Sequence, residues 1–228
     1  MNRSMVRIHS GSQKKIYFIV YLKFNCIFVL IMKTILFLIL TFVSSFGVSQ
    51  TNDVVTYFNK VSGQTEFTGD LDEVLKWEDD IVIFVKGEKQ PELINELNRI
   101  IKELNDLIIP ITIKVTNNES ESNFMILFGS HTDYPKYEPI AKNYVEGNYG
   151  LFVTSGEPEI VKATMYVDIY RTPTLNGKKH LLREELTQAL GLVNDTYDYK
   201  ESIFYQGWTE TTEYADIDKE LIKMLYNN

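Results

Sequence analysis

Set on a helix at about 100° per residue, the stretch from His180 to Val193 places Leu181, Leu182, Leu186, Ala189, Leu190, Leu192 and Val193 on one arc of about 180°. A helix that apolar has to be covered by other elements, so it belongs inside the fold and not on its rim. Glu185 falls within the arc, at about 140° from His180. Glu184 and Gln188 border it at about 40° and 80°, beside His180 and the helix-ending Gly191. A carboxylate inside an apolar arc is costly unless it is paired, hydrogen-bonded, protonated or metal-bound. Such a cost points to function. The competing reading is a glutamate that reaches a buried backbone amide and ties two layers together, and the wheel leaves both open.

The rest of the chain supplies the cover. Val54 to Val61 reads as a short helix, and Ile81 to Val85 as a buried strand of β-branched and aromatic residues. Pro91-Glu92 opens a strongly amphipathic helix in which Leu93, Leu97, Ile100, Ile101, Leu104 and Leu107 recur at three- and four-residue spacing, and Pro110 stops it. Ile111, Ile113 and Val115 alternate as a half-buried strand does, and Phe124 to Phe128 is a further apolar run. Residues 130–150 read as a long tyrosine-rich loop with one helical turn. Strands follow at Leu151–Val153 and Ala163–Tyr170, then a turn at Thr172-Pro173 to Gly177, the site helix, and a closing helix from Asp216 to Tyr226. The expected order, β-α-β-β-β-β-α-α, is an α+β fold: a mixed β-sheet carrying a long amphipathic helix, a central site helix and a C-terminal helix.

Charge divides the chain sharply. Residues 1–52 hold six of the 23 Lys and Arg and no acidic residue, so all 31 carboxylates lie from Asp53 onward against the other 17, leaving that segment at −14. A phosphate backbone is repelled by such a domain, which argues against nucleic acid as a partner. The one cysteine, Cys26, lies in the basic leader, so from Thr51 onward neither disulfides nor a Cys-ligated zinc site can form. With only His131 and His180 as imidazoles there, any metal site is poor in nitrogen. Met32-Lys33, the apolar run from Ile35 to Val43, and the small residues Ser44, Ser45, Gly47 and Ser49 compose a secretory signal over 32–49. Residues 1–31 are then an over-extended start, residues 51–228 are one exported domain, and its destination is periplasm, cell surface or medium. The alternative is an uncleaved membrane anchor built from both apolar runs.

The run Glu184-Glu185-x-x-Gln188-x-x-Gly191-x-x-Asn194-Asp195 resembles the metzincin zinc-protease helix with its histidines replaced. Ser202-Ile203-Phe204 resembles the Met-turn of those proteases, with Phe204 in place of Met and Tyr205 one place earlier than usual. Asp216-x-Asp218 through Leu225-Tyr226 is similar to their C-terminal helix. From about Tyr57 to Tyr226, including Lys76-Trp77, the chain also resembles a secreted bacterial family of unknown function regarded as zincin-like.

The resemblance implies a zincin-like fold, with Glu185 at the general-base position and Glu184, Gln188 and Asn194 or Asp195 at the ligand positions. His180, four residues before Glu184, could complete a mixed site, although a histidine at a helix start is more commonly a capping or surface residue. Oxygen donors of this kind form a hard, weak site, better suited to calcium or magnesium than to zinc. Three functions stay open: an exported domain whose degenerate site binds a peptide or envelope ligand, a metal-dependent hydrolase with atypical ligands, and a structural envelope module.

Overall fold

The computed structural model describes residues 53–65, 69–70 and 74–227. The expected extension, signal segment and Cys26 lie outside the described residues. A helix over 53–62 (α1) leads into a two-residue antiparallel pair, β1 (Gln64–Thr65) and β2 (Gly69–Asp70). The main elements follow as β3 (Ile81–Gly87), α2 (Pro91–Leu107), β4 (Ile113–Thr116), β5 (Phe124–Gly129), β6 (Gly150–Ser155), β7 (Lys162–Asp168), α3 (Leu175–Gln188) and α4 (Asp216–Tyr226). From β3 onward this is the α+β order expected from hydrophobic periodicity. The 130–149 loop carries two short 3-10 turns, Tyr134–Lys136 and Pro139–Asn143, where one helical turn was expected.

The five strands form one mixed sheet in the order β4-β3-β5-β7-β6. All neighbours are parallel except β6, which runs antiparallel to β7 at an edge. Because side chains alternate across a strand, one face presents Ile81, Ile83, Val85, Phe124, Ile126, Phe128, Ala163, Met165 and Val167 to the main core, which α2, α3 and α4 cover. The other face presents Leu127, Leu151 and Tyr166, and the long loop covers these with Tyr134, Ala141 and Val145. The loop is itself anchored by charge. Arg171 donates to the carbonyl oxygens of Val145 (3.0 Å), Glu146 (2.8 Å) and Asn148 (2.6 Å) while its Nε meets the buried Asp168 at 2.6 Å. Burial pushes the Asp168 carboxyl upward, but hydrogen bonds from the Arg171 amide and guanidinium and from the His131 amide outweigh it, so its pKa is lowered.

A buried ion cluster joins α2 to α3. Arg183 is fully buried, with Nη1 2.6 Å from Glu103, Nη2 3.1 Å from Glu96 and its guanidinium 4.2 Å from the Tyr214 ring centre. Arg99 meets the same Glu96 at 2.6 Å, so that buried carboxylate is shared by two cations. Burial works against the Arg183 charge, yet Tyr214 and the two carboxylates raise its pKa overall. Removing one partner of a buried pair strands the other. Arg183→Met is therefore expected to cost about 3 kcal/mol in urea unfolding, with part of the loss recovered when Glu103→Leu is added.

Candidate functional site

Thr174 caps α3 by accepting the Gly177 amide at 2.9 Å, and every residue from His180 to Gln188 is buried. The helix closes at Gln188 and does not continue to Val193 as the wheel assumed. Trp77 Nε1 donates to the Ala189 carbonyl at 2.9 Å and the Tyr226 hydroxyl to that of Leu190 at 2.9 Å. Gly191 then turns the chain with φ of 124°, a conformation open to glycine and passing against the Leu75 carbonyl.

Glu185 lies inside the fold at 8% exposure, where the apolar arc places it. Its seat is made by a missing side chain. Gly150 shares a face of the sheet with Phe152 and Val167, and a Cβ there would stand only 2.8 Å from Cγ and 2.9 Å from Cδ of Glu185. The glutamate thus lies flat over the start of the edge strand. Burial raises the pKa of Tyr134 and Tyr166 first of all, and the negative charge of Glu185 adds to the rise at both.

His180, Glu184, Gln188 and Asp195 gather along the same cleft, but they address one another and the walls. His180 Nδ1 is 2.8 Å from the Thr211 carbonyl and Nε2 is 3.3 Å from the Thr209 hydroxyl. Nε2 is also 3.4 Å from Glu184 Oε2, the i, i+4 contact expected on one helix face. That contact is an ion pair only with a protonated ring. Burial, aided by the nearby Arg183 charge, lowers the His180 pKa despite the Thr211 bond and Glu210, so we take the ring as neutral at pH 7, with Nδ1 donating to Thr211. Gln188 Nε2 donates to Asp195 Oδ1 at 2.6 Å. Asn194, a candidate ligand, faces elsewhere: after the Gly191 turn its amide donates to the Lys60 carbonyl (3.1 Å) and its backbone N–H to Val61 (3.0 Å), binding the strand-like tail to α1. Among the described residues no group of three or more His, Cys, Asp or Glu is placed to hold a metal ion.

The Ser202-Ile203-Phe204 turn lies beneath, with Ile203 and Phe204 fully buried in the core shared with Leu182, Leu186 and Leu190. Asp218, in the first turn of α4, holds it. Its carboxylate accepts Ser202 Oγ at 2.5 Å, the Ile203 amide at 3.2 Å and the Ala215 amide at 2.9 Å, while Tyr57 donates to Ser202 Oγ at 2.9 Å. Tyr205, next in the chain, pairs with Thr196 in a parallel bridge and lines the cleft. Sequence reasoning singled out Ser202, quoted Asp218 only within the closing-helix pattern without a role at the turn, and gave Arg183 none. The signals were an acid at the third position of the closing helix, and Glu96, Arg99 and Glu103 on one face of α2.

The cleft has a volume of about 450 Å³ and lies between the β6 edge, the second half of α3 and the segments around Asp195–Tyr197 and Tyr205–Trp208. Fold and site together define an α+β domain with a carboxylate-bearing buried helix under an antiparallel edge strand. The chain belongs to the family described as "Protein of unknown function (DUF2927)", whose model matches residues 51–228. Comparison with the curated proteins returns no match. Among solved structures, a crystal structure of myroilysin is similar with a TM-score of 0.45 and 10% identity, over 67% of this chain and 86% of that one. A second structure of myroilysin gives 0.42 and 12% identity, over 67% and 82%.

Two buried carboxylates lend themselves to measurement. Burial pushes Asp218 up to about 6 against the hydrogen bonds it accepts. A raised pKa contributes stability that is complete below the unfolded value of 3.8 and is lost as pH rises through about 6. The lost contribution amounts to roughly 3 kcal/mol. Thermal melts should therefore favour wild type over Asp218→Asn more strongly at about pH 4 than at about pH 7.5. For Glu185, whose carboxylate is held against an apolar arc, Glu185→Gln is expected to raise the melting temperature at about pH 7.5. A clear fall would mark Glu185 as a brace between helix and sheet.

Proposed function

We propose that this is an exported, zincin-like domain that has given up its metal site and binds an extended peptide in the cleft without cutting it. Export rests on the basic, apolar leader, and the zincin-like reading on the order of site helix, Ser-Ile-Phe turn and closing helix around one core. The observation that carries the binding reading is the engagement of the would-be ligands. Gln188 is bonded to Asp195 and His180 to Thr211 and Thr209, and among the described residues no three His, Cys, Asp or Glu are placed to hold a metal ion. Zinc prefers imidazole and thiolate in a tetrahedral set, and one neutral imidazole with carboxylate and amide oxygens does not fit it. A hard cation such as calcium would need more oxygens than converge here.

The edge strand supports a peptide as the ligand. The Asp168 amide donates to the Tyr149 carbonyl at 2.7 Å, so Tyr149, Leu151 and Val153 turn their backbone groups toward β7. Antiparallel alternation then directs those of Gly150, Phe152 and Thr154 outward along the cleft, where an added strand could pair with them.

A metal-dependent hydrolase is the second reading, favoured by one observation, the buried Glu185 beside the cleft. Elemental analysis of protein purified without chelator, together with peptide cleavage assays, separates the two. The expected result is zinc far below one per chain and no cleavage. Stoichiometric zinc that is lost in His180→Ala or Glu184→Ala, with cleavage abolished by Glu185→Gln, would establish the hydrolase instead.

A further inference from the structure

The chemistry lining the cleft specifies more than a peptide backbone. We infer that the cleft selects a peptide with a basic side chain, an arginine or lysine, which enters beside α3; this rests on the peptide-binding reading above. Glu184, Glu185 and Asp195 bring three carboxylates to the lining, and no Lys or Arg is among the described residues that form it. The acids stand against low-dielectric walls, where a charge is felt more strongly than on open surface. The segment from Asp53 onward, at −14, attracts the same kind of ligand from a distance.

Aromatic residues supply the second half of a cation site. Tyr149 and Trp208 meet edge to face with ring centres 6.1 Å apart, and Tyr197 and Tyr205 do so at 5.8 Å. All four line the cleft, and Trp208 and Tyr197 remain 54% and 68% exposed, so their rings are open to a ligand. An aromatic face attracts a guanidinium or ammonium within about 6 Å of its centre. Tyr149 already does this inside the protein, with the Arg171 guanidinium 5.1 Å from its ring centre. Trp208 is kept in place from behind, since it rests on the bare backbone of Gly177 and the next residues are tied to α3 through His180. His180 thereby acts as a positioning residue for the aromatic wall. A neutral sugar would use the rings but has no need of three carboxylates, so charge favours the basic peptide.

The test is a fluorescence anisotropy titration of the purified domain with a dye-labelled, end-blocked Ala-Val-Ala-Arg-Ala-Val-Ala peptide. The same peptide with citrulline or glutamate replacing arginine, and a chitin-type oligosaccharide, serve as comparisons. Citrulline keeps the shape of arginine and removes its charge. The arginine peptide should bind at least about tenfold more tightly than the citrulline one, and added salt should narrow the gap. Glu184→Gln should narrow that preference severalfold, and Trp208→Ala should weaken the arginine peptide severalfold. Melting curves show whether each variant is folded, and the exposed Trp208 carries the test should Glu184→Gln not fold. Equal binding of the arginine and citrulline peptides would overturn the basic preference while leaving the peptide-binding reading standing. Binding of the oligosaccharide and of no peptide, or of no probe at all, would overturn the peptide reading itself.

Discussion

Between His180 and Gln188 the chain has no exposed residue, although five of these positions are charged or are His or Gln. A helix so placed is stable only if each polar group finds a partner, because an unmatched buried polar or charged group costs more than a single apolar contact returns. The surrounding fold is organised around that requirement. Glu96 and Glu103 of the long helix meet Arg183, Thr211 and Thr209 meet His180, Asp195 meets Gln188, and a bare glycine on the edge strand leaves room for Glu185. Three segments distant in sequence are thereby held in register with one helix.

The same requirement shapes the cleft. Along it Gln188 is tied to Asp195 and His180 to Thr211 and Thr209, beside Glu184 and Glu185. The walls come from elements that carry the fold in other ways. The edge strand is part of the sheet, and the Tyr205–Trp208 wall continues from the turn that Asp218 locks to the closing helix. An interior built this way is preorganised, with little side-chain freedom to lose when a ligand arrives. The sheet edge, the acids and the rings meet along this one cleft.

Asp218 and Tyr57 illustrate how the scaffold supports the site from below. Burial raises Tyr57 to about 12 and Asp218 to about 6, so both hydroxyl and acid are held in environments that disfavour charge, joined through Ser202. That chain of hydrogen bonds fastens α1, the Ser-Ile-Phe turn and α4 at one point. It explains why α1, 145 residues from the turn at the bonded pair, keeps a common arrangement with the turn and α4 around the core.

Local pattern determined the elements. The amphipathic period of α2, the β-branched runs of β3 and β5 and the proline and glycine stops are written residue by residue, and they emerged at nearly the expected bounds. The burial of Glu185 was legible too, because a wheel position depends only on helical geometry. Other features depend on residues far away in the chain, and no local period encodes them. Gly191 marks the helix end locally, but that Trp77 and Tyr226 cover the Ala189 and Leu190 carbonyls, and that Asn194 turns from the site to donate to Lys60 and Val61, are settled by distant residues. Glu185 rests on Gly150 only because antiparallel pairing sets that glycine on the helix face of the sheet. Periodicity reports which side of an element faces inward; which partner waits there is decided by tertiary packing, since only the folded chain brings the two groups within hydrogen-bonding distance.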